Sequence, residues 1–374
     1  MKSPSAASTS FLVALGINLF MPDASAQDAI NNVPIIERLD VEALPRGKTY
    51  HFWFKAMDTN VGQSWYVPVI VNRGNEAGPR LLLNSGVHGD ELNGIRVVQI
   101  VTASVDLQKL HGTIIGIPGL NIPGLLHGNR NYIMSDDGGS AANLNRVMPG
   151  DEEKGDAARR FAGRVWQKLW LGNVDYVVDL HSQSRGSAYP TFVYVDPRNE
   201  GPRKIAELIA PDVIKYDAGE KGSVETEFVR VNIPAVTYEI GHPSIWQQDL
   251  IDRSVSGIDR VMASLKMLEG LPAQSKTSSV PDPPAAGPFL GNENTTLRAK
   301  IGGFIELKVA LLDMVQTGQL VARQMNAFGD TIAEFRAPHD GKVLSIGDEP
   351  LREPGALVVR IIRWNPSDAC KLGC

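Results

Sequence analysis

The apolar residues of this chain change period partway along its 374 residues, and that change limits the fold more than any other feature. Arg80-Leu81-Leu82-Leu83-Asn84-Ser85, residues 112–120, Tyr176-Val177-Val178-Asp179-Leu180 and Pro234-Ala235-Val236-Thr237-Tyr238 are apolar runs of strand length. Between and after them, residues 91–103, 156–171 and 244–268 carry helical spacing, clearest at Leu92, Ile95, Val98 and Val101. Strands alternating with helices predict a largely parallel or mixed sheet covered on both faces. A strand-like stretch over 35–71 precedes this pattern. From 297 to 362 the helical period vanishes, and short strands are punctuated by Gly302-Gly303, Thr317-Gly318, Asp340-Gly341 and Pro354-Gly355, which predicts a small all-β domain. The expected organisation is an α/β domain over 27–270, a Ser/Pro-rich linker over 271–289, an all-β domain over 290–365 and a tail over 366–374.

Residues 1–26 are set aside as an export signal. Lys2 is followed by an apolar run over 11–21 and by Ala24-Ser25-Ala26, a small-residue cleavage site. That run is shorter than the roughly 20 residues a membrane span requires, so the expectation is a periplasmic or secreted protein with no membrane association. In an oxidising compartment Cys370 and Cys374 can pair; two free thiols on a tail are the alternative.

Charge and residue counts narrow the chemistry. Thirty-seven basic against 42 acidic residues leave a net charge of −5, which gives no footprint for nucleic acid. With seven histidines, and both cysteines at 370 and 374, a transition-metal site has to be built from His and carboxylate. There is no Gly-x-Ser-x-Gly elbow and no His-Glu-x-x-His pair, and Gly47-Lys48-Thr49 lacks the first glycine of a phosphate loop.

Three motifs stand at the carboxyl ends of expected strands, where open α/β sheets place their ligand crevice. Gly86-Val87-His88-Gly89-Asp90-Glu91 sets an imidazole and a carboxylate three residues apart. Alone it carries little weight, because about one such pair is expected by chance at this composition. Asp179-Leu180-His181-Ser182 adds a second histidine after an apolar strand, and two imidazoles with one carboxylate are the ligand set of a hydrolytic zinc site. Such a site needs a base, and Glu239 in Thr237-Tyr238-Glu239-Ile240-Gly241 ends a third strand. Arg130 and the pair Asn145-Arg146 lie between the two metal motifs; an arginine fork can hold a carboxylate or steady an oxyanion, and surface arginines are the alternative.

Taken in order, Gly86-Val87-His88-Gly89-Asp90-Glu91, Asn145-Arg146 with Pro149-Gly150, Asp179-Leu180-His181 and Glu239-Ile240-Gly241 resemble the succinylglutamate desuccinylase/aspartoacylase family, a branch of the zinc carboxypeptidase superfamily. The resemblance implies an α/β/α sandwich with a mixed central sheet and one zinc ion per chain, held by His88, Glu91 and His181. It implies Glu239 as general base and acid, Arg130 at the scissile carbonyl, and Asn145 and Arg146 on the substrate carboxylate. The implied enzyme is a zinc-dependent amidohydrolase removing an acyl group from an N-acylated amino acid or a similar small carboxylate-bearing amide. A carboxypeptidase releasing a C-terminal residue is the alternative. A metal-binding protein without activity would have no use for Glu239. Departures fall on the substrate side: Asn131 separates Arg130 from Tyr132, and Ser135-Asp136-Asp137-Gly138-Gly139-Ser140 forms a glycine-rich acidic loop. Arg230, nine residues before Glu239, lies near where some members place a further arginine. The C-terminal segment resembles the hammerhead of carrier domains, but neither Lys308 nor Lys342 fits the hairpin-tip position, so an unmodified domain beside the active-site mouth is expected.

Overall fold

The computed structural model describes residues 28–135, 141–269 and 287–374. The expected export signal, most of the expected linker and the acidic loop at 136–140 lie outside the described residues. The first strands are β1 (Ala29–Ile30), β2 (Val33–Ile36), β3 (Lys48–Asp58), β4 (Ser64–Arg73), β5 (Glu76–Ser85) and β6 (His111–Pro118). A small hairpin, β7 (Tyr132–Ile133) with β8 (Ala141–Ala142), precedes β9 (Tyr176–His181), β10 (Thr191–Val195), β11 (Val213–Tyr216), β12 (Ala235–Ile240) and β13 (Phe289–Gly291). All but the hairpin form one mixed sheet in the order β1-β2-β3-β4-β6-β5-β9-β12-β10-β11-β13. At its centre β5, β9 and β12 run parallel in adjacent register, with Ser85 beside Leu180 and His181 beside Glu239.

Helices α1 (Asn93–Ser104), α2 (Ile122–His127), α3 (Ala157–Arg164), α4 (Glu200–Ile209), α5 (Val224–Arg230) and α6 (Gln248–Ser264) are distributed over the sheet. Strand alternation explains the two cores. Leu81, Leu83, Val178, Val236 and Tyr238 face one side and pack with Val97, Val98, Ile205, Ile258 and Val261 of α1, α4 and α6. Leu82, Val177 and Ala235 face the other and pack with Phe161, Trp166, Trp170 and Phe228 of α3, its continuation and α5. The result is the expected α/β/α sandwich. The helix read over 156–171 starts at its Asp156 cap, whose side chain accepts the Arg159 N–H at 2.8 Å. After Arg164 it widens into a π-helical turn, Val165–Trp170, bringing Trp166 within 4.6 Å of the Phe228 ring. This aromatic contact fixes α5 against the sheet.

The C-terminal strands are β14 (Glu293–Arg298), β15 (Gly303–Leu307), β16 (Met314–Val315), β17 (Leu320–Met325), β18 (Thr331–Arg336), β19 (Gly341–Ile346), β20 (Leu351–Arg352) and β21 (Leu357–Arg363). They form two four-stranded sheets, β14-β21-β19-β16 and β18-β17-β15-β20, around a core of Val321, Val343, Val359 and Ile361. Phe289, at the end of the expected linker, is already in β13, which pairs with β11 in the large sheet. Lys308 follows β15 and pairs with Glu306, and Lys342 lies within β19 over the Phe289 ring. Tyr189, Phe192 and Val213 of the large-sheet region pack against Leu344 and Ile362, which joins the two parts. The tail carries a Cys370–Cys374 disulfide. Among the described residues no helix is long and apolar enough to cross a membrane.

Candidate active site

Toward their carboxyl ends the three central strands exchange apolar side chains for polar ones on a single face. Alternation with period two puts Asn84, Asp179, His181, Thr237 and Glu239 on the α5 side, opposite Leu83, Val178, Leu180, Tyr238 and Ile240. Gly86 then turns the chain at a φ of 69°, with room for no side chain, since a Cβ there would lie 2.8 Å from the Gly119 Cα. The turn delivers His88 and Glu91 before α1 begins. Asp90 steadies the neighbouring loop by accepting the Arg185 N–H at 3.1 Å.

His88, Glu91 and His181 converge, each no more than 2% exposed, with ligand atoms within 4.8 Å of one another. Glu91 lies between the two imidazoles, Oε1 at 2.7 Å from His88 Nδ1 and Oε2 at 2.8 Å from His181 Nδ1. The outer nitrogens have their own acceptors. His181 Nε2 donates to Asp179 at 2.8 Å, and His88 Nε2 donates to the Asn143 side-chain oxygen at 3.0 Å. Asp179 is in turn held by the Asn84 amide at 2.7 Å. An imidazole that gives its proton outward carries a lone pair on Nδ1, and both lone pairs here face the same carboxylate. A divalent cation at that point reconciles these donors, and outward carboxylate or carbonyl partners are the usual supports of metal-binding histidines.

Without a cation, the same contacts favour a proton in its place, with a charged His181 beside an ionised Glu91. Burial opposes ionisation of Glu91, but His88 and His181 outweigh it and hold the carboxyl well below its ordinary range. Burial likewise opposes charge on His181, yet Asp179 and Glu91 raise it well above the usual imidazole value. For His88 burial wins and the value falls. Glu239 is pushed up to about 8, by burial first and by Glu91 second, with His181 and Arg130 pulling the other way. Its Oε2 is buried without a hydrogen-bond partner.

These groups open into a cavity of about 510 Å³. Arg130 reaches the cluster itself, donating to Glu91 at 3.2 Å and to the Ser184 hydroxyl. Arg146 lines the wall with a half-exposed side chain, 3.8 Å from Glu220. Asn145 is buried, and its side-chain oxygen accepts the Val224 N–H at 2.8 Å, which ties the Asn145-Arg146 turn to the start of α5. Gly222 allows that approach: a Cβ there would lie 2.3 Å from the Arg146 carbonyl oxygen. Arg230 is directed elsewhere and pairs with Glu227 at 3.0 Å.

Sequence reasoning missed several cavity residues. Behind the cavity, Asp179 is the acceptor for His181, a role that the Asp-x-His spacing on a strand signals by placing both side chains on one face. Tyr189, Tyr194, Lys215, Asp217 and Glu225 lie on elements of seven residues or fewer and the loops beside them, too short to show a period. Asn294, Thr296 and Arg360 arrive from the C-terminal sheets by tertiary packing, for which no local signal exists.

Comparison with known proteins places this arrangement. The N-alpha-acetyl-L-2,4-diaminobutyric acid deacetylase of Halomonas elongata is 29% identical over 321 residues, 82% of this chain and 89% of that one. The product-bound ectoine utilization protein of Ruegeria pomeroyi shares the fold at a TM-score of 0.72, with 21% identity over 86% of this chain and 97% of its own. A succinylglutamate desuccinylase from Silicibacter sp. gives 0.71 at 22% identity, covering 86% of this chain and 98% of that one. The catalytic-domain pattern of succinylglutamate desuccinylase and aspartoacylase matches residues 77–265, just over half of the sequence, and the chain therefore belongs to the succinylglutamate desuccinylase/aspartoacylase family.

Proposed function

We propose that the protein is a zinc-dependent deacylase that hydrolyses the amide bond of a small N-acylated amino acid. The observation that carries this reading is the meeting of the His88–Glu91–His181 donor triangle with the unpartnered Glu239 Oε2 in one cavity. Family membership and the deacetylase activity of the Halomonas relative support it. Strands β14 and β21 wall one side of the cavity through Asn294, Thr296 and Arg360, which favours a small amide over a peptide chain.

Two nitrogens and one carboxylate suit zinc, which supplies a Lewis acid that polarises the amide carbonyl and acidifies water. His88, Glu91 and His181 would hold it, with Asn143 and Asp179 fixing the two imidazoles from outside. Glu239 takes a proton from the attacking water as the new carbon–oxygen bond forms. It returns that proton to the amine nitrogen as the carbon–nitrogen bond breaks, so the carboxylate is regenerated with each turnover. Burial raises the Glu239 carboxyl, and a cation held by the neighbouring donors would draw it back down toward the range in which it can both take and return a proton near neutral pH. Arg130, already beside Glu91, lies where it can steady negative charge on the carbonyl oxygen. Arg146 and the Asn145 amide nitrogen take the substrate carboxylate.

Glu239→Gln should retain stoichiometric zinc by metal analysis while hydrolysis of N-acyl amino acids falls by a factor of about 10² to 10⁴. Unchanged turnover in that variant, or wild-type protein purified without zinc and indifferent to its addition, sinks the proposal. Faster release of C-terminal residues from peptides than of acyl groups would favour the carboxypeptidase alternative. We further propose that the chain is exported and cut near Ala26, a reading supported by the Cys370–Cys374 pair; an uncut amino terminus on protein from its native cells would refute it.

A further inference from the structure

The register between β11 and β13 ends with Lys215 beside Gly291. Past that pair, the chain after β11 carries Asp217 to the cavity wall, and the chain after β13 carries Asn294 there. Residues 364–374 touch both continuations. The Trp364 ring meets the Tyr216 ring edge-on, with 5.7 Å between centres. Gly373, at a φ of 102°, lies so close to the end of β11 that a Cβ on it would be 2.4 Å from the Tyr216 carbonyl oxygen and 3.0 Å from the Asp217 Cα. On the other side, the Cys374 N–H donates to the Asn292 carbonyl at 2.7 Å, and the Cys374 backbone oxygen accepts the Asn294 N–H at 3.2 Å.

A buried anchor and a crosslink hold this segment. Asn292, fully buried, donates through its side-chain amide to the carbonyls of Asn365 at 2.8 Å and Cys370 at 2.9 Å, and accepts the Asn365 N–H at 2.6 Å. The Cys370–Cys374 disulfide then ties the anchored residue to the one that contacts β14. Two backbone hydrogen bonds at their usual net strength do not offset the entropy of ordering residues 371–374. The crosslink removes part of that cost by restricting the open alternatives. What the segment touches belongs to the cavity: Asp217 pairs with Lys215 and accepts the Gly219 N–H at 3.0 Å, and Lys215, Gly219 and Asn294 all line the wall. Residues 364–374 are not in that lining themselves, so they act on it from behind.

We propose that the Cys370–Cys374 loop is a positioning element for the substrate mouth: closed, it fixes the Asp217 and Asn294 walls, and opened by reduction it lets them loosen and weakens substrate binding. The effect on catalysis rests on the deacylase reading, whereas the hold on β11 and β14 does not. His88 and His181 are fixed by Asn143, Asp179 and Glu91, so a loosened mouth changes KM and leaves kcat alone. Cys374 is exposed, which opens the pair to a dithiol; the two reagent sulfurs join in a disulfide as Cys370 and Cys374 each gain a hydrogen.

The test compares zinc-loaded wild type, before and after dithiothreitol, with the double variant Cys370→Ser, Cys374→Ser on an N-acyl amino acid. Reduction should raise KM by roughly 3- to 10-fold with kcat and zinc content unchanged, and reoxidation should restore it. The double variant should have the raised KM from the outset and no response to dithiothreitol, which separates the disulfide from any action of the reagent on zinc. Hydrogen exchange supplies a readout independent of turnover: amides of 215–219 and 292–296 should exchange at least about tenfold faster in the reduced protein, with those of 81–91 and 176–183 unaltered. An unchanged KM or unchanged exchange after complete reduction overturns the inference and leaves the deacylase reading standing. So does a fall in kcat alone, loosening that spreads to the metal end, or a pair that remains as free thiols in aerobic protein. If no amide is hydrolysed, the deacylase reading falls and exchange decides: loosening confined to the two segments upholds the positioning role, and its absence overturns it. Should the double variant fail to fold, reduction and reoxidation of the wild type carry the decision.

Discussion

At the sheet end of the cavity, Glu91 lies 2.7 and 2.8 Å from the two imidazoles, and Asp179 meets His181 at 2.8 Å, all four residues at most 2% exposed. At the mouth, the Arg146 side chain is nearly half exposed, and Arg360 reaches in from a different sheet. The first region is over-determined, since each converging side chain is held by a neighbour that is itself held. The second is assembled from α5, β11 and the C-terminal strands, and its buried acid, Glu225, has no cation of its own. Fixed geometry where three donor side chains converge, and exposed polar groups where a small molecule enters, are the two demands that the difference reflects.

The buried acid at the mouth gives the largest effect that tests this contrast. Glu225 titrates near 8 when folded and in the ordinary carboxyl range when unfolded, so between those values the folded state holds the extra proton. Its contribution to stability is present in full below the unfolded value and is lost as pH rises through 8. Denaturant melts of the metal-free protein should lose a few kcal/mol between about pH 5 and pH 9, and Glu225→Gln should remove part of that slope, the remainder coming from Glu239, which is raised to about 8 as well. The groups facing Glu225 do not cancel the effect, because Asp179, Asp196 and Asp217 are acids that push its value up, and Lys215 is paired with Asp217. A slope unchanged in the variant would mean that Glu225 is not held protonated and that the mouth is no less satisfied than the metal end.

At the rigid end the expected effect is on metal affinity. Asp179→Asn keeps the shape of the acceptor but removes the charge that orients and supports His181, and zinc affinity should fall by about 10- to 100-fold in competition with a chelator. KM for an N-acyl amino acid at saturating zinc should not move. If it moved as well, the two ends would be one coupled unit.

The two regions also differ in how much of each the sequence reveals, for the same physical reason. His88, Glu91, His181 and Glu239 follow apolar runs that end in polar residues, and strand alternation alone brings Asp179 with His181 and Thr237 with Glu239 onto one face. The sandwich was legible because β5, β6, β9 and β12 alternate with α1, α3 and α6, whose spacing is strong. Between 187 and 230 only α4 carries a clear period, through Ile205, Ala206 and Ile209, and it faces away from the cavity; α5 has seven residues, β11 has four and includes a lysine, and neither is long enough to show one. Yet that stretch supplies Tyr194, Lys215, Asp217 and Glu225. The π-helical turn after α3 was equally silent, since its cause is the packing of Trp166 and Trp170 around Phe228 and not any local preference. Residues placed by secondary structure can be read from spacing, whereas residues placed by the docking of one sheet on another cannot.

Arg360 is the residue of that second kind whose removal makes the smallest and most informative change. It donates to the Tyr189 hydroxyl at 2.5 Å and to the Thr296 hydroxyl at 3.1 Å, and its guanidinium lies 5.9 Å from the centre of the Tyr189 ring. Those contacts aim a planar cation into the cavity from β21, far along the chain from every metal ligand. Arg360→Ala should raise KM for an N-acyl amino acid by roughly 3- to 10-fold with little change in kcat, because an interaction made equally with bound substrate and transition state affects binding alone. Arg360→Lys should recover only part of the loss, since an ammonium cannot serve Tyr189, Thr296 and a ligand with one planar fork. Zinc content should equal that of the wild type in both variants. A fall in kcat with KM unchanged would instead place Arg360 beside the reacting carbonyl, and a fall in zinc content would show that the C-terminal sheets support the metal end too. The boundary drawn between a rigid metal end and an open substrate mouth would then run through the wrong part of the cavity.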